Sequence, residues 1–583
     1  MIYSAEEFHE AMDEASVQQL LIVDTEFEKV NQYGAANIIG VSWGFPLGSH
    51  FKSYYAPFRH RDFPGTWNLP VELLQEFNRF PVKGTQVYHN WLADHKVFLK
   101  DGIDFSDRTI FDTMIGAHLV DENELAYGLD YLAMKKFKAR KVSLTDLEKL
   151  VGWEHIHPLV MGKYACTDVF LTYMLYRDVV AGLQQEELVD LYEGYEAFFK
   201  VLFKVIDRGL VIDEQLAIQL QEDGRKELDK LRSRYDFNLG SMQKVGQHLH
   251  ETLQVPVRYR TAKGAPSTSS LHLRRYTDSD ERAREFTSDV LRYRTISKAV
   301  TTWYEGFLTK RGSDGLLHPG LTIVGADSGG TRTGRLSCRE PNLQQIPRKG
   351  STRRLFKDPV GKRLIELDYS QAELRLTGYY MNRAGDSTVV DSYIHDKDIH
   401  SITADSMGLT SSMSFKDARQ VGKTCNFSLC YRAGPAQLQN ILYRDANFTC
   451  TMAQANEWHL AWHRSYPVIV ELNERAQEQA RKNGYVRMWS GRRRHLQGND
   501  CFKAYNSVIQ GGVGQLMVMA MTEINKKFPA LQMVNQVHDS IWFYMDDSEI
   551  EHELPKVVEI MERFPSDRFD MPFKVDWKYW TNE

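Results

Sequence analysis

The stretch "LIELDYSQAELR", residues 364–375, contains two carboxylates at positions where local structure is expected to change. The run "RLIELD" is apolar enough to predict a buried strand, with Asp368 at its end. Glu373 follows where a helix is expected to begin. Ser370 and Glu373 have the S-x-x-E spacing of a helix capping box, which alone would explain the glutamate. The sequence therefore leaves open whether Glu373 caps a helix or serves a functional site.

A second segment, "MVNQVHDSIWFYM" at residues 533–545, predicts a hairpin. Two strand-like runs flank a tight tip at His538 and Asp539, so the hairpin can project Asp539 towards the end of another strand. Taken alone, a His-Asp pair in a turn is most often simple polar turn chemistry. The segment gains meaning only in combination with Asp368.

Between these segments, "RQVGKTCNFSLCY" at residues 419–431 predicts a helix with one distinctive face. Arg419, Lys423, Phe427 and Tyr431 recur every four residues, a step of about 400° that keeps them in one slowly drifting row. Such a row can hold a triphosphate with its cations and a base with its aromatic rings. It can equally be a half-buried aromatic face under long basic side chains.

Carboxylates also follow the first predicted strand. In "LLIVDTE", Asp24 and Glu26 have strand spacing and point to one face, where they repel each other unless a cation lies between them. Asp94 in "HNWLADHKVFL" and the Tyr164–Asp168 pair in "YACTD" add weaker signals. A solvated strand end is the other interpretation of the first pair.

The composition excludes few function classes. The chain has 583 residues and a net charge of −5, which neither demands nor excludes nucleic acid. Its six cysteines form no CxxC pair, which argues against a disulfide framework or zinc site and fits a reducing compartment. No run approaches the roughly 20 apolar residues of a membrane span. Strand-like and helix-like segments alternate over the first ~180 residues, and helices dominate after them, so several domains are expected.

Taken in order, the first acidic set resembles the three exonuclease motifs of the DnaQ-like 3′–5′ exonucleases. The resemblance implies that Asp24, Glu26, Asp94 and Asp168 hold two divalent metal ions. It also implies that Tyr164 orients the attacking water.

The second set resembles the family A DNA polymerases, the DNA polymerase I group. "DYSQAELR", "RQVGKTCNFSLCY" and "QVHDS" are similar to their motifs A, B and C. "TGRLSCREPNLQQIP", "GYVRMWSGRRRHL" and "NSVIQGGVGQLM" agree as well. The resemblance covers nearly the whole chain, and we expect the protein to lack the 5′-nuclease domain that many relatives carry in front.

The family implies an RNase H-like exonuclease domain followed by a right-hand polymerase, α/β and then α+β in class. The expected divisions are the exonuclease domain at 1–185, the thumb with the start of the palm at 186–320, the palm with motif A at 321–378, the fingers with motif B at 379–498, and the palm with motif C at 499–583.

The resemblance also assigns residues to the polymerase site. Asp368 and Asp539 would be metal ligands, helped by the backbone carbonyl of Tyr369. The dNTP would be bound by a set that includes Glu373 as the gate against a ribose 2′-hydroxyl: Arg419, Lys423, Phe427, Tyr431, Glu373 and Gln371. DNA would be bound by Arg335, Asn342, Gln344, Gln510 and His538. Two Mg²⁺ per active site are expected, with Mn²⁺ as the substitute.

Three positions depart from the family pattern. Ala372 replaces a usual isoleucine, Arg432 a usual glycine, and Ser540 a usual glutamate. Two aspartates remain after the last change, so catalysis is still expected. Further contacts to DNA phosphates are predicted at basic residues: Arg232, Arg234, Lys263, Arg492, Arg493 and Arg494. Near the exonuclease site, the aromatic rings of Phe27 and Tyr164 are predicted to stack on the bases of a single strand.

The expected function is template-directed DNA synthesis with 3′–5′ proofreading. A nuclease that merely binds DNA and an RNA-synthesising relative are the competing hypotheses. The expected absence of the 5′-nuclease domain and the compact length favour a phage-type replicative enzyme. A monomer in the cytoplasm of a bacterial or phage-infected cell is expected, with no membrane association. Its expected partners are primer-template DNA and dNTPs, with a helicase, single-strand-binding protein or clamp as further candidates.

Overall fold

The computed structural model of the chain describes residues 1–28, 36–63, 67–141, 152–324, 330–347 and 350–580. Its strands are β1 Leu20–Phe27, β2 Ile38–Leu47, β3 His50–Pro57, β4 Thr85–Tyr88, β5 Thr109–Asp112, β6 Leu321–Thr322, β7 Ser337–Cys338, β8 Lys362–Tyr369, β9 Tyr485–Arg487, β10 Arg493–His495, β11 Gln532–Val537, β12 Ser540–Asp546 and β13 Val575–Tyr579. Within these residues, no helix has the length and apolar character to cross a bilayer.

The helices of the first half are α1 Ala5–Ser16, α2 Trp91–Lys100, α3 Thr113–Val120, α4 Leu129–Phe137, α5 Pro158–Gln185, α6 Val189–Arg208, α7 Glu214–Arg232, α8 Met242–Gln247, α9 Ser270–Ser279, α10 Glu281–Lys298 and α11 Glu305–Thr309. Those of the second half are α12 Ala372–Arg383, α13 Thr388–Ile394, α14 Ile399–Ser406, α15 Phe415–Leu429, α16 Pro435–Ala446, α17 Met452–Ser465, α18 Pro467–Asn483, α19 Ala504–Lys527 and α20 Ile550–Phe569.

The N-terminal region is built on a five-stranded sheet with the order β3-β2-β1-β4-β5. As the sequence predicts, β1 and β2 are neighbours, and they pair antiparallel with Asp24 opposite Ser42. The apolar run of β1 is fully buried because the long helix α5 packs across β1, β2 and β3. This packing carries the side chains of α5 to the end of β1.

Helix α6 links this sheet to the rest of the chain, since it packs against β5, β11 and α19. It ends at Gly209, as predicted, where the backbone has φ +62°. A Cβ at this position would lie 2.9 Å from the Cβ of Leu316, so glycine is required both by the backbone conformation and by the close approach. The predicted division at residues 185/186 falls between α5 and α6, and the five-part division itself stays a prediction.

A second sheet, with the order β11-β12-β8-β13, lies in the C-terminal half, and all its pairs are antiparallel. The predicted hairpin is present: β11 and β12 are joined by a tip at His538 and Asp539. In β8, the apolar residues Leu364, Ile365 and Leu367 are fully buried, and Asp368 is the penultimate residue of the strand. The hairpin and the end of β8 therefore lie side by side.

Three arginines predicted to contact DNA are instead buried at the junction between the N-terminal region and the C-terminal half. Arg494 forms an ion pair with Glu122 at 2.7 Å, Arg493 pairs with Glu186, and Arg492 donates to the Tyr195 hydroxyl at 3.1 Å. The prediction of DNA contacts at Arg492, Arg493 and Arg494 is wrong, because these side chains are buried and bound to partners inside the protein.

We expect Glu122→Ala to destabilise this junction. The side chains of Glu122 and Arg494 are 0% and 6% exposed, and although burial raises its pKa, His495 and Arg494 hold the pKa of Glu122 at about 2. Removing one partner of a buried pair leaves an uncompensated charge, at a cost of about 3 kcal/mol or more. Thermal unfolding should show a loss of several degrees. The matched control is Glu187→Ala, which removes an exposed ion pair with Arg487 and should change little.

Two candidate active sites

The first site lies where β1 ends beneath α5. Asp24 and Glu26 on β1 and Asp168 on α5 offer carboxylate oxygens that all lie within 4.8 Å of one another. Glu26 is 2% exposed and Asp168 is 4% exposed. The strand spacing of the first two residues and the packing of α5 across β1 together produce the cluster that the sequence predicted.

Asp94, the fourth predicted ligand, is tied to the same strand. It lies in the first turn of α2, where its Oδ1 accepts hydrogen bonds from the Thr25 backbone N–H at 2.9 Å and the Thr25 hydroxyl at 2.6 Å. Thr25 stands between Asp24 and Glu26, so Asp94 lies beside the cluster of three carboxylates. The structure thus brings all four predicted carboxylates together.

Tyr164 lies on the same face of α5 as Asp168, and both contact a lysine that the sequence analysis missed. Lys141 forms an ion pair with Asp168 and donates to the Tyr164 hydroxyl at 2.9 Å. Although burial lowers it, the Asp168 carboxylate and Tyr164 raise the pKa of Lys141 above its usual range. No motif spacing in the sequence marks this lysine, because its position depends on the fold of a loop.

The electrostatics of the cluster favour a cation. Burial and neighbouring carboxylates raise the pKa of Asp24 and of Glu26, and burial raises the pKa of Asp94 to about 7 and that of Asp168 to about 6. Among the described residues, neither Glu26 Oε1 nor Asp168 Oδ1 has a hydrogen-bond partner. Hard oxygen ligands with unsatisfied lone pairs suit Mg²⁺ or Mn²⁺. The site opens into a cavity of about 710 Å³, also lined by Phe27 and Tyr164.

These pKa shifts predict a pH dependence of stabilisation by magnesium. The pKa values of Asp94 and Asp168 are near 4 in the unfolded chain and about 7 and 6 in the folded protein without metal. Between these values the folded protein binds more protons than the unfolded chain, so the stability that these two groups contribute is lost as pH rises. Metal ions bind the deprotonated carboxylates. The gain in melting temperature on adding Mg²⁺ should therefore be about 2–4 °C at pH 8 and smaller at pH 5.5.

Scanning fluorimetry with and without Mg²⁺ at the two pH values measures this gain. The variant Asp24→Asn with Glu26→Gln is the control for ions bound elsewhere, and the pH-dependent part of the gain should disappear in it. An equal gain at both pH values in the unmodified protein would contradict the prediction.

The second site lies where β8 meets the hairpin tip. Asp368 is paired in register with Ser540, and the backbone N–H of Tyr369 donates to the carbonyl of Asp539 at 3.1 Å. Asp368, near the end of β8, and Asp539, at the hairpin tip, thus lie next to each other along the backbone. Burial raises the pKa of Asp539, and Glu373 adds to this, whereas Arg335 and His538 oppose it. Two carboxylates next to the backbone of Tyr369 form an oxygen-rich donor set that fits a hard divalent ion.

The neighbours of these aspartates explain one departure from the family pattern. The hydroxyl of Ser540 donates to the Val537 carbonyl at 3.0 Å and so closes the hairpin turn. The ring of Tyr369 is buried, and its hydroxyl donates to the Met561 carbonyl at 2.7 Å. Ser540 therefore has a structural partner, and the anchored ring fixes the Tyr369 backbone beside Asp368.

Glu373 does not form the capping box that its spacing allowed. The helix α12 begins after Gln371, which has φ +58° and makes no side-chain capping bond. Instead, the Glu373 carboxylate forms an ion pair with Arg335 and accepts a hydrogen bond from the Tyr431 hydroxyl at 2.6 Å. The capping interpretation is wrong, because the carboxylate turns away from the helix end towards two partners from distant segments. Ala372 beside it is buried.

The basic and aromatic row is only partly helical. Arg419, Lys423 and Phe427 lie on α15, but this helix ends at Leu429, so Tyr431 follows it in a turn and reaches Glu373 from there. Arg432 has φ +61°, the left-handed conformation that favours glycine, so arginine keeps the backbone shape at a cost of roughly 1–3 kcal/mol.

Beside α15, helix α14 carries a further residue that the sequence analysis missed. Arg419 holds Asp398 in two hydrogen bonds, at 2.7 and 3.1 Å. His400, buried two residues later, lies with its ring centroid 5.7 Å from that of Phe427. Burial and the charges of Arg419 and Lys423 lower the pKa of His400 to about 4, although Asp398 opposes this. A single histidine in "DIHS" gave no periodic signal.

The remaining residues predicted to bind dNTP or DNA differ in whether they already have partners inside the protein. Gln371 accepts from the Tyr393 hydroxyl at 3.0 Å, Asn342 accepts from the Gln344 backbone at 3.1 Å, and Gln344 donates to the Leu336 and Gln536 carbonyls at 3.2 Å. Arg335 donates to the Gln510 carbonyl at 3.3 Å, and His538 is exposed at the hairpin tip.

In the α7–α10 region, two of the predicted DNA contacts already have partners. Arg234 pairs with Asp289 at 2.6 Å and Arg232 donates to the Tyr293 hydroxyl, whereas Lys263 is exposed in a loop. A role of Lys263 in binding DNA stays a prediction.

Models of two protein families match the two regions of the chain that hold these sites. The model of DNA polymerase family A matches residues 212–582, and that of a 3′-5′ exonuclease matches residues 1–183. DNA polymerase I of Borreliella burgdorferi is 25% identical over 592 residues, 95% of this chain and 61% of that protein. DNA polymerase I of Pseudomonas aeruginosa is 26% identical over 599 residues, 96% of this chain and 62% of that protein. The chain thus spans about three fifths of these relatives.

A solved structure shares the fold. The polymerase domain of Pol1 from M. smegmatis, in complex with a DNA primer-template and dNTP, aligns with a TM-score of 0.82 and 20% identity. The alignment covers 99% of each chain. Both sites described above therefore lie on a fold already known from a solved structure.

Proposed function

Since the chain belongs to family A of the DNA polymerases, we propose that it extends a primer 3′ end with dNTPs on a DNA template and removes mispaired termini with its N-terminal site. The observation that carries the proposal is the pairing of β8 with β12, which sets Asp368 beside Asp539. An aspartate at the end of a strand and another at the tip of the neighbouring hairpin, from distant parts of the sequence, form the kind of oxygen donor set that phosphoryl transfer requires.

Asp368 and Asp539 would hold two Mg²⁺, or Mn²⁺ in its place, with the Tyr369 carbonyl as a further ligand. When bound, such ions lower the pKa of the primer 3′-hydroxyl and stabilise the charge on the departing pyrophosphate. Arg419 and Lys423 would bind the triphosphate, and Arg419 must exchange its Asp398 partner for phosphate oxygens. Phe427 and Tyr431 would pack on the nascent base pair.

Glu373 would stand against the sugar of the incoming nucleotide. Its carboxylate is fixed by Arg335 and Tyr431, so it cannot swing aside to admit a 2′-hydroxyl. Gln371 would contact the incoming dNTP. The DNA path would be lined, as the family resemblance implies, by Arg335, Asn342, Gln344, Gln510 and His538. The phosphate contacts that bind a duplex regardless of sequence would make affinity depend on salt.

At the first site, Asp24, Glu26, Asp94 and Asp168 would hold the ions, and Tyr164 would orient the attacking water. A mispaired primer terminus frays more readily, and the cavity beside Phe27 and Tyr164 can accept its unpaired bases. Editing by this site is the second half of the proposal.

The cellular setting is proposed at a coarser level. The relatives named above are bacterial, which suits action in a bacterial cytoplasm. The phage origin suggested by the compact length stays a prediction. We propose a monomer that binds primer-template DNA and dNTPs. Further partners stay predictions: a helicase, a single-strand-binding protein or a clamp.

Primer extension on a primed DNA circle tests the proposal. With dNTPs and Mg²⁺, the labelled primer should lengthen, and without dNTPs it should shorten from its 3′ end. Replacing dNTPs by rNTPs should abolish most extension, because Glu373 excludes ribose. Shortening of the primer without any extension would support the hypothesis of a nuclease whose C-terminal region merely binds DNA. Efficient extension with rNTPs would indicate an RNA-synthesising relative.

Glu373→Ala should weaken discrimination against ribose. The substitution removes the fixed carboxylate and frees Arg335 and Tyr431, so the ratio of kcat/KM for CTP to that for dCTP should rise roughly 10- to 100-fold. Single-nucleotide incorporation measures both constants. Glu373→Gln has nearly the same size and is the control, which should retain most of the discrimination. An unchanged ratio in Glu373→Ala would rule out the gate.

A further inference from the structure

Lys141 is the one basic side chain that the described residues place inside the carboxylate cluster of the first site. It forms an ion pair with Asp168, donates to the Tyr164 hydroxyl at 2.9 Å, and its side chain is 16% exposed. It also lines the cavity that holds Asp24 and Glu26. A solvated surface lysine would not have two fixed partners that both belong to one proposed site.

The chemistry of the contact restricts the direction of the hydrogen bonds. A lysine ammonium has three donors and no acceptor, so the Tyr164 oxygen must accept from it. The hydroxyl hydrogen of Tyr164 is then left for a different acceptor. Because the same ammonium also forms the ion pair with Asp168, Tyr164 and Asp168 are held at a fixed separation on their face of α5.

We propose that Lys141 is a positioning residue of the exonuclease reaction, which fixes the Tyr164 hydroxyl as a donor to the attacking water at the scissile phosphodiester. This inference rests on the proposed editing function of the same site. Lys141 acts through Tyr164: it orients the hydroxyl that orients the water.

The test compares Lys141→Met with Lys141→Arg in single-turnover degradation of a labelled single-stranded DNA at saturating Mg²⁺. Lys141→Met should lower the cleavage rate about 10- to 100-fold, and Lys141→Arg, which keeps a cationic donor, should recover part of it. Lys163→Met is the matched control: Lys163 precedes Tyr164 on α5 but is exposed, so the rate should stay as in the unmodified protein.

A double-mutant cycle with Tyr164→Phe separates positioning from a general structural effect. If Lys141 works through the Tyr164 hydroxyl, adding Lys141→Met to Tyr164→Phe should lower the rate less than about 3-fold further. Mn²⁺ affinity by calorimetry should be unchanged or higher in Lys141→Met, since a competing cation is removed. Fully additive losses, or weaker Mn²⁺ binding that accounts for the slower rate, would overturn the proposal.

The outcome for the unmodified protein distinguishes two failures. If it degrades DNA and Lys141→Met does so equally fast, the positioning role is wrong and the proposed exonuclease stands. If the unmodified protein degrades no DNA in Mg²⁺ or Mn²⁺, the editing function fails, and the inference about Lys141 fails with it.

Discussion

Asp539→Ala should lower the rate of primer extension by at least about 10³-fold and leave primer degradation unchanged. The substitution removes one of the two carboxylates that β8 and β12 bring together, and a lost metal ligand costs several kcal/mol of transition-state stabilisation. Single-turnover incorporation of one dNTP measures the loss. Degradation of the same primer without dNTPs provides the internal comparison.

Asp546→Ala is the matched control for this variant. Asp546 lies at the end of β12 that is remote from the hairpin tip and is about half exposed, so its removal takes a carboxylate from the same hairpin without touching the site. It should extend primers as the unmodified protein does. If Asp539→Ala lost both activities while folded, the division of labour between two sites would be wrong.

Asp24→Ala combined with Glu26→Ala should have the opposite effect. Degradation of a single-stranded primer should fall at least about 10³-fold, because two of four carboxylates of the first site are gone, and extension should continue at the unmodified rate. Release of labelled mononucleotide follows the first reaction. Extension from a mismatched terminus should become more frequent, since the frayed end is no longer removed.

Stability provides an independent check on the same double variant. Glu26 is buried and Asp24 is partly buried, and both carboxylates repel each other and Asp168, so removing them should not lower the melting temperature measured without metal. A folded variant that still degrades primers at the unmodified rate would show that the catalytic carboxylates lie elsewhere.

Much of the fold could be predicted because its signals are local. The strand β1 and its neighbour β2, the hairpin of β11 and β12, and the end of α6 at Gly209 follow from apolar runs and turn residues. The order of an exonuclease domain followed by a family A polymerase domain is confirmed by the matched regions. Motif order carried information that no single carboxylate pair had.

What the sequence could not supply depends on contacts between distant segments. Glu373 had the spacing of a cap, but Arg335 and Tyr431 offered its carboxylate stronger partners. The run Arg492–Arg494 had the composition of a DNA contact, yet Glu122 and Glu186 lie opposite it in the fold. Lys141 and His400 carry no periodic signal at all. Charge runs therefore indicate a partner without saying whether it is DNA or protein.

The position of bound metal tests the central claim most directly. Crystals of the protein with primer-template DNA, a non-hydrolysable dNTP analogue and Mn²⁺ can be measured for anomalous scattering. We predict a peak about 2.2 Å from carboxylate oxygens of both Asp368 and Asp539. Peaks confined to the first site, or a manganese position bound by only one of these two aspartates in a complex with the nucleotide in place, would contradict the account.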